Sequence, residues 1–153
     1  MQGCDILPID VTDDAAANRL MAYIWPEMPE RFKRMEAGIA MIRQRSINLV
    51  QADAADFVEA QLAKPQAAGT TRVLMHSIVW QYLPDDTQRR IQAAMAAAGE
   101  AATGEKPLAW ISLETNRATF RHELKVSYWP GGSEPVLLGE AHAHGIWVNW
   151  LGS

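Results

Sequence analysis

Cysteine is almost missing from this 153-residue chain, in which Cys4 stands alone. One thiol cannot close an internal disulfide, and no Cys-x-x-Cys pair or Cys/His zinc spacing occurs. The sequence therefore lacks the framework of a small secreted domain, and a reducing, cytoplasmic setting is expected. An excess of basic charge is absent too. The 14 Lys and Arg are outnumbered by 18 Asp and Glu, giving a formal net charge of -4, and the basic residues form no stripe. Counterion release at nucleic acid needs such a stripe, so nucleic acid is not an expected partner. No apolar run approaches the roughly 18 residues of a membrane-crossing helix. The opening Met1-Gln2-Gly3-Cys4-Asp5 lacks the basic segment and apolar run of a secretion signal. A G-x-S-x-G elbow, which would mark a serine hydrolase, does not occur either.

What is present suits one domain with a substantial core. Hydrophobic residues make up 48% and charged residues 21% of the chain. A chain of this length buries roughly 68–70% of its unfolded surface and needs neither a metal nor a disulfide to stay folded. Gly3-Cys4-Asp5-Ile6-Leu7-Pro8 reads as a strand end entering a turn, because Pro8 disfavours helix at Leu7. Asp13 and Asp14 can cap a helix over residues 15–25, which Pro26 ends. A second helix over 29–45 puts Phe32, Met35, Ile39 and Ile42 on one stripe, expected to face a sheet.

Residues 47–50 form a short β-rich run, and Phe57, Val58 and Leu62 suggest a short helix after it. Residues 73–80 are nearly continuous in apolar side chains, which predicts a strand covered on both faces at the centre of a parallel sheet. Pro84-Asp85-Asp86 opens a helix with Ile91, Ala94, Met95 and Ala98 inward, and Gly99 suits its stop. Residues 108–113 read as another buried strand. From Phe120 the pattern alternates, with His122, Leu124, Val126 and Tyr128 on one face. Pro130-Gly131-Gly132 then turns the chain back into two further strands over 136–141 and 146–151. This order predicts an α/β fold of parallel crossovers closed by an antiparallel β-meander.

Gly3-Cys4-Asp5-Ile6-Leu7-Pro8 resembles the second-strand G-x-D-x-x-P segment of class I S-adenosylmethionine-dependent methyltransferases. The resemblance implies a Rossmann-like methyltransferase-type sheet in which Asp5 takes the cofactor's ribose hydroxyls, two adjacent donors that one carboxylate can accept together. Gln51-Ala52-Asp53-Ala54 is similar to the third-strand segment of that superfamily, which implies Asp53 and the backbone N–H of Ala54 beside the adenine. Val73 to Pro84, VLMHSIVWQYLP, looks like the fourth-strand segment, with Ser77, Trp80 and Tyr82 lining the cleft. The cofactor so implied is S-adenosylmethionine.

Over the whole chain, the order GCDILPIDVTD, RLMAYIWPEMPERFKRM, MHSIVWQYLP and HAHGIWVNWL resembles a bacterial family catalogued as domain of unknown function 2332, which has no assigned reaction. Members carry upstream a glycine-containing strand-turn-helix that looks like the cofactor loop, and nothing here corresponds to it. Neither Asp53-Ala54-Ala55-Asp56 nor Pro130-Gly131-Gly132 puts glycines between a parallel strand and a helix N-terminus. The resemblance thus implies the C-terminal half of a methyltransferase-like domain, its sheet incomplete on the N-terminal side. The strands ending at Asp5 and starting at Val73 are then expected to pair directly, or to meet a partner chain at their exposed edges.

Each site candidate has an ordinary structural reading beside it. Asp5 also reads as a turn residue and Asp53 as a helix cap. Glu140, His142 and His144 alternate, so in an extended segment all three leave one face and could hold Zn²⁺; otherwise they are a polar strand edge. His76 and Ser77 are neighbours on a strand and point to opposite faces, which argues against a nucleophile pair and leaves His76 as a satisfied core histidine. Trp25, Trp110, Trp147 and Trp150 read as packing residues. Three functions stay open: a methyltransferase-like protein with unknown acceptor, a non-catalytic binding or assembly module on the same fold, and a metal-dependent hydrolase.

Overall fold

The computed structural model describes residues 2–45 and 47–152. The chain is mixed α and β, with four α-helices and two sheets among the described residues, and it divides into two compact units, Met1–Ala54 and Ala55–Ser153.

The first unit contains β1 (Gly3–Asp5), α1 (Asp14–Met21), α2 (Pro29–Gln44) and β2 (Leu49–Gln51). β1 and β2 are parallel, in register from Gly3 opposite Leu49 to Asp5 opposite Gln51. Asp13 starts α1 by accepting a 2.8 Å bond from Ala16 N, one of the orphan donors of the first turn. The helix stops at Met21, earlier than the sequence predicts. Trp25 precedes Pro26 and is steered away from helical backbone. The chain tightens before it, with Tyr23 N bonded to Leu20 O and Ile24 N to Met21 O, and Ile24 turns inward. Pro29 opens α2, where its missing N–H costs nothing. The stripe on α2 holds only in part. Ile39 is buried and Met35 and Ile42 half-buried in a cluster with Val11, Ala17, Met21 and Ile24, whereas Phe32 is 42% exposed. The stripe's partner in that cluster is α1 with the loop before it, not a sheet, because three-residue strands offer little face to cover. Arg43 of α2 ties the pair together, donating from Nε to Val11 O (2.9 Å) and from Nη2 to Asp14 Oδ1 (2.7 Å).

The second unit is built on α3 (Ala54–Leu62), β3 (Arg72–Ser77), α4 (Asp85–Glu100), β4 (Leu108–Asn116), β5 (Arg121–Trp129), β6 (Gly132–Ala141) and β7 (Val148–Trp150), with a 3-10 turn at Trp80–Tyr82. The five strands form one mixed sheet in the order β3-β4-β5-β6-β7. β3 and β4 are parallel and the later pairs antiparallel, so the meander read from the alternation after Phe120 is present. The expected centre of the sheet is not where the apolar run is. β3 is an edge strand, and Val73 and Met75 are 50% and 68% exposed while Arg72, Leu74 and His76 turn inward. A continuous apolar run hides this alternation, because both of its faces read as apolar whichever one is covered.

α4 packs through Ile91 and Met95, which are 3% and 1% exposed, toward the sheet face that carries buried Leu108. Arg90 on the same helix holds α3, donating from Nε and Nη2 to the two oxygens of Glu59 (3.0 and 2.6 Å) and from Nη2 to Asp56 (2.6 Å). Gly99 is not the stop that the sequence suggests, since α4 runs on to Glu100 with Ala101 as its cap. Its role is space: a Cβ there would lie 2.5 Å from Nε1 of Trp129, against a rigid indole. Helix propensity alone favours Gly99→Ala by about 1 kcal/mol, whereas overpacking costs about 1–3 kcal/mol. The substitution is therefore expected to lower stability slightly or leave it unchanged, and a gain near the full propensity value in urea unfolding would show that Trp129 moves freely.

β6 pairs with β5 through two register shifts, at Leu124/Lys125 and Val126/Tyr128, and with β7 only over its last three residues. Residues 132–137, which include Pro135, are exposed. Three of the six tryptophans are less buried than a packing role requires, Trp25, Trp147 and Trp150 being 69%, 49% and 58% exposed, whereas Trp110 is half-buried.

Candidate functional site

The strand alternation of the second unit places a polar row on the face that α4 approaches. On β4 the row is Trp110, Ser112 and Glu114, at every second residue. On β3 His76 lies opposite Ser112, and on β5 Ser127 and Lys125 lie opposite Trp110 and Ser112. These side chains, with Trp80, Trp129 and Gln92 of α4, line an open pocket of about 490 Å³.

Glu114 organises its inner wall. Its Oε1 accepts three bonds, from His76 Nδ1 (2.7 Å), Val79 N (3.1 Å) and Trp80 N (3.2 Å). Desolvation by burial pushes this carboxyl up, but the His76 bond, helped by the two backbone N–H groups, outweighs it and holds the group below its usual range. Trp110 Nε1 donates to His76 Nε2 at 2.9 Å. An indole N–H can only donate, so the neutral imidazole carries its proton on Nδ1 and gives it to Glu114. Both ring nitrogens are thus engaged. His76 also stacks on Trp80, with centroids 5.1 Å apart and planes at 22°, and Trp80 meets Trp110 at 58°. Beside Glu114 on β5, Glu123 pairs with Lys125 at 2.5 Å, and Asn116 Nδ2 donates to the same carboxylate at 2.7 Å. The Lys125 bond, outweighing burial, lowers the Glu123 carboxyl.

The sequence candidates fall in several places. Trp80 is part of this wall. Ser77 is exposed and, next to His76 on the strand, leaves the opposite face, while Tyr82 is 74% exposed in the 3-10 turn and does not line the pocket. Asp5 and Asp53 belong to the first unit, at the carboxyl ends of the adjacent parallel strands β1 and β2. Asp5 Oδ1 accepts Leu7 N at 2.7 Å, closing the turn that Pro8 announces, and Ala52 N bonds Asp5 O at 3.0 Å. Both acids act on Cys4, whose thiol is pushed up first by burial and then by their negative charges. Ala54 begins α3.

The extended geometry that would align Glu140, His142 and His144 is not formed. β6 ends at Ala141, and the chain then turns, with Gly145 N bonded to His142 O (2.8 Å) and His144 N to His142 Nδ1 (3.0 Å). Glu140 is engaged instead by Arg121 Nη1 at 2.7 Å. Among the described residues no three His, Cys, Asp or Glu side chains are placed to hold a metal ion, and no helix is long and apolar enough to cross a membrane.

Sequence reasoning assigned Trp110 to packing and passed over Ser112, Glu114, Lys125 and Trp129. The signal was available, because Trp110, Ser112, Glu114 and Asn116 alternate with Ile111, Leu113 and Thr115, a two-residue period that begins within the 108–113 strand and runs past its predicted end.

A family model described as an uncharacterized protein conserved in bacteria (DUF2332) matches residues 1–150. No curated protein and no solved structure matches the chain.

Proposed function

The chain belongs to this bacterial family of uncharacterized proteins, domain of unknown function 2332, and we propose that it is a methyltransferase-like protein that holds the nucleoside part of S-adenosylmethionine. The observation that carries the reading is the parallel pair β1 and β2, in which Asp5 ends β1 opposite Gln51 and Asp53 follows two residues after the end of β2. Parallel α/β proteins bind ligands outside such ends. The residues fit a nucleoside. Asp5 is exposed and its Oδ2 is not used by the Leu7 bond, so it can accept a ribose hydroxyl. Ala54, as the first residue of α3, has a backbone N–H with no acceptor within its helix, suited to an adenine nitrogen. The cofactor, when bound, supplies an activated methyl group; the acceptor is left open.

A second reading, a binding module without turnover, is favoured by the engagement of both nitrogens of His76, which leaves this imidazole without a lone pair for proton transfer while its bonds persist. Calorimetric titration with S-adenosylmethionine tests the cofactor. Asp5→Ala is expected to weaken binding roughly tenfold or more, the loss of a charge-assisted acceptor worth about 1.5–3 kcal/mol. Residues 1–153 hold nothing that corresponds to the glycine-containing cofactor loop, so their own affinity is expected to be weak; equal affinity in the variant, or no heat from a protein that also carries the family's upstream glycine-containing segment, would overturn the cofactor reading.

A further inference from the structure

We propose that the pocket between α4 and the five-stranded sheet is a binding site for an organic cation, a protonated or quaternary amine, held against Trp80 and Trp110 by the Glu114 carboxylate. The site lies wholly within the second unit and does not depend on the cofactor reading.

Three observations converge on positive charge in the ligand. First, the walls are indoles. Trp80 and Trp110 meet at 58° with centroids 5.5 Å apart and so form a corner, and Trp129 lines the same space. The face of an indole carries the most negative quadrupole of any side chain, and it attracts cations most where water is partly excluded. Second, the carboxylate is fixed and ionised. The three donors on Glu114 all use Oε1, so Oε2 takes none of these bonds, and the side chain is only 18% exposed. Third, the positive charge nearby is already matched. Lys125 lines the pocket, but its ammonium is paired with Glu123, and His76, which donates to Glu114 from Nδ1, accepts from Trp110 on Nε2, so with His76 in this tautomer no permanently charged side chain pairs with Glu114. An anionic ligand would meet that carboxylate directly. A neutral apolar ligand would gain from the indoles but not from the charge.

The hydroxyls of Ser112, Ser127 and Ser133 also line the pocket and can bond a polar tail on the same ligand. Its volume of about 490 Å³ is ample for a substituted amine.

Choline and its uncharged carbon analogue 3,3-dimethyl-1-butanol have nearly the same shape, so titrating the protein with each isolates the charge. Tryptophan fluorescence and calorimetry read the binding. Choline is expected to bind in the millimolar range and at least about tenfold more tightly than the alcohol, a difference of about 1.4 kcal/mol. Trp80→Leu is expected to shrink the difference severalfold while far-ultraviolet circular dichroism stays unchanged. Should that variant unfold, Trp80→Phe, which keeps a weaker π face, should reduce choline affinity severalfold. Equal binding of choline and the alcohol, no binding of either, or tighter binding of inorganic phosphate than of choline would each overturn the proposal.

Discussion

Glu114→Ala should lower the free energy of unfolding by about 2–4 kcal/mol, because three donors lose one acceptor at once. His76 Nδ1 and the backbone N–H groups of Val79 and Trp80 all end on Oε1 of this residue. Each donor left unsatisfied in a half-buried setting costs about 1–3 kcal/mol, and water entering from the open pocket offsets part of the sum. Glu114→Gln keeps the volume and one acceptor oxygen, so its loss should be smaller. The same residue sets a pH dependence. Its folded carboxyl is held below the ordinary value of 4.5, so its contribution is fully present above that value and is lost as pH falls through the lowered one. The difference in stability between the unaltered protein and Glu114→Ala should therefore shrink as urea melts are taken from neutral pH to below 4.5. A constant difference across that range, or a loss under about 0.5 kcal/mol at neutral pH, would falsify the assignment of Glu114 as the hub of the pocket wall.

Met95→Ala is the second substitution with a large expected effect. Met95 is 1% exposed and lies one turn from both Ile91 and Gly99 on the buried stripe of α4. Truncating a buried methionine removes apolar contact and leaves a cavity, together worth about 2–5 kcal/mol. Met95→Leu conserves volume and should cost less than about 1.5 kcal/mol. Both variants should shift the denaturant midpoint without changing its slope. If Met95→Ala costs no more than Met95→Leu, α4 is not seated on the sheet through this side chain.

Local chemistry was readable where one residue decides the backbone. Asp13 announced the start of α1, Pro29 that of α2, and Pro130-Gly131-Gly132 the hairpin between β5 and β6, because capping and turn geometry depend on near neighbours. The antiparallel meander was readable from the alternation in β5. What did not show was which strand lies at an edge, since the apolar run of β3 has the composition of a central strand and its neighbours are fixed by contacts distant in sequence. The pocket shared this difficulty. His76 and Glu114 are 38 residues apart, and their 2.7 Å bond exists only because β3 and β4 pair in one register. Trp80 was selected from its place after β3, whereas Ser77 and Tyr82, chosen on the same ground, face away from the pocket or extend into solvent, because a strand and a 3-10 turn send neighbouring side chains in different directions.

The exposed stretch of β6 bears on how this sheet avoids recruiting other chains. A strand rim with free N–H and C=O groups is a template for fibril growth. Along residues 132–137 that template is spoiled twice: Pro135 has no N–H to offer, and the register shifts against β5 break the even spacing that an incoming strand would need. The same proline also lines the pocket, so one residue both borders the ligand space and caps the growth of the sheet.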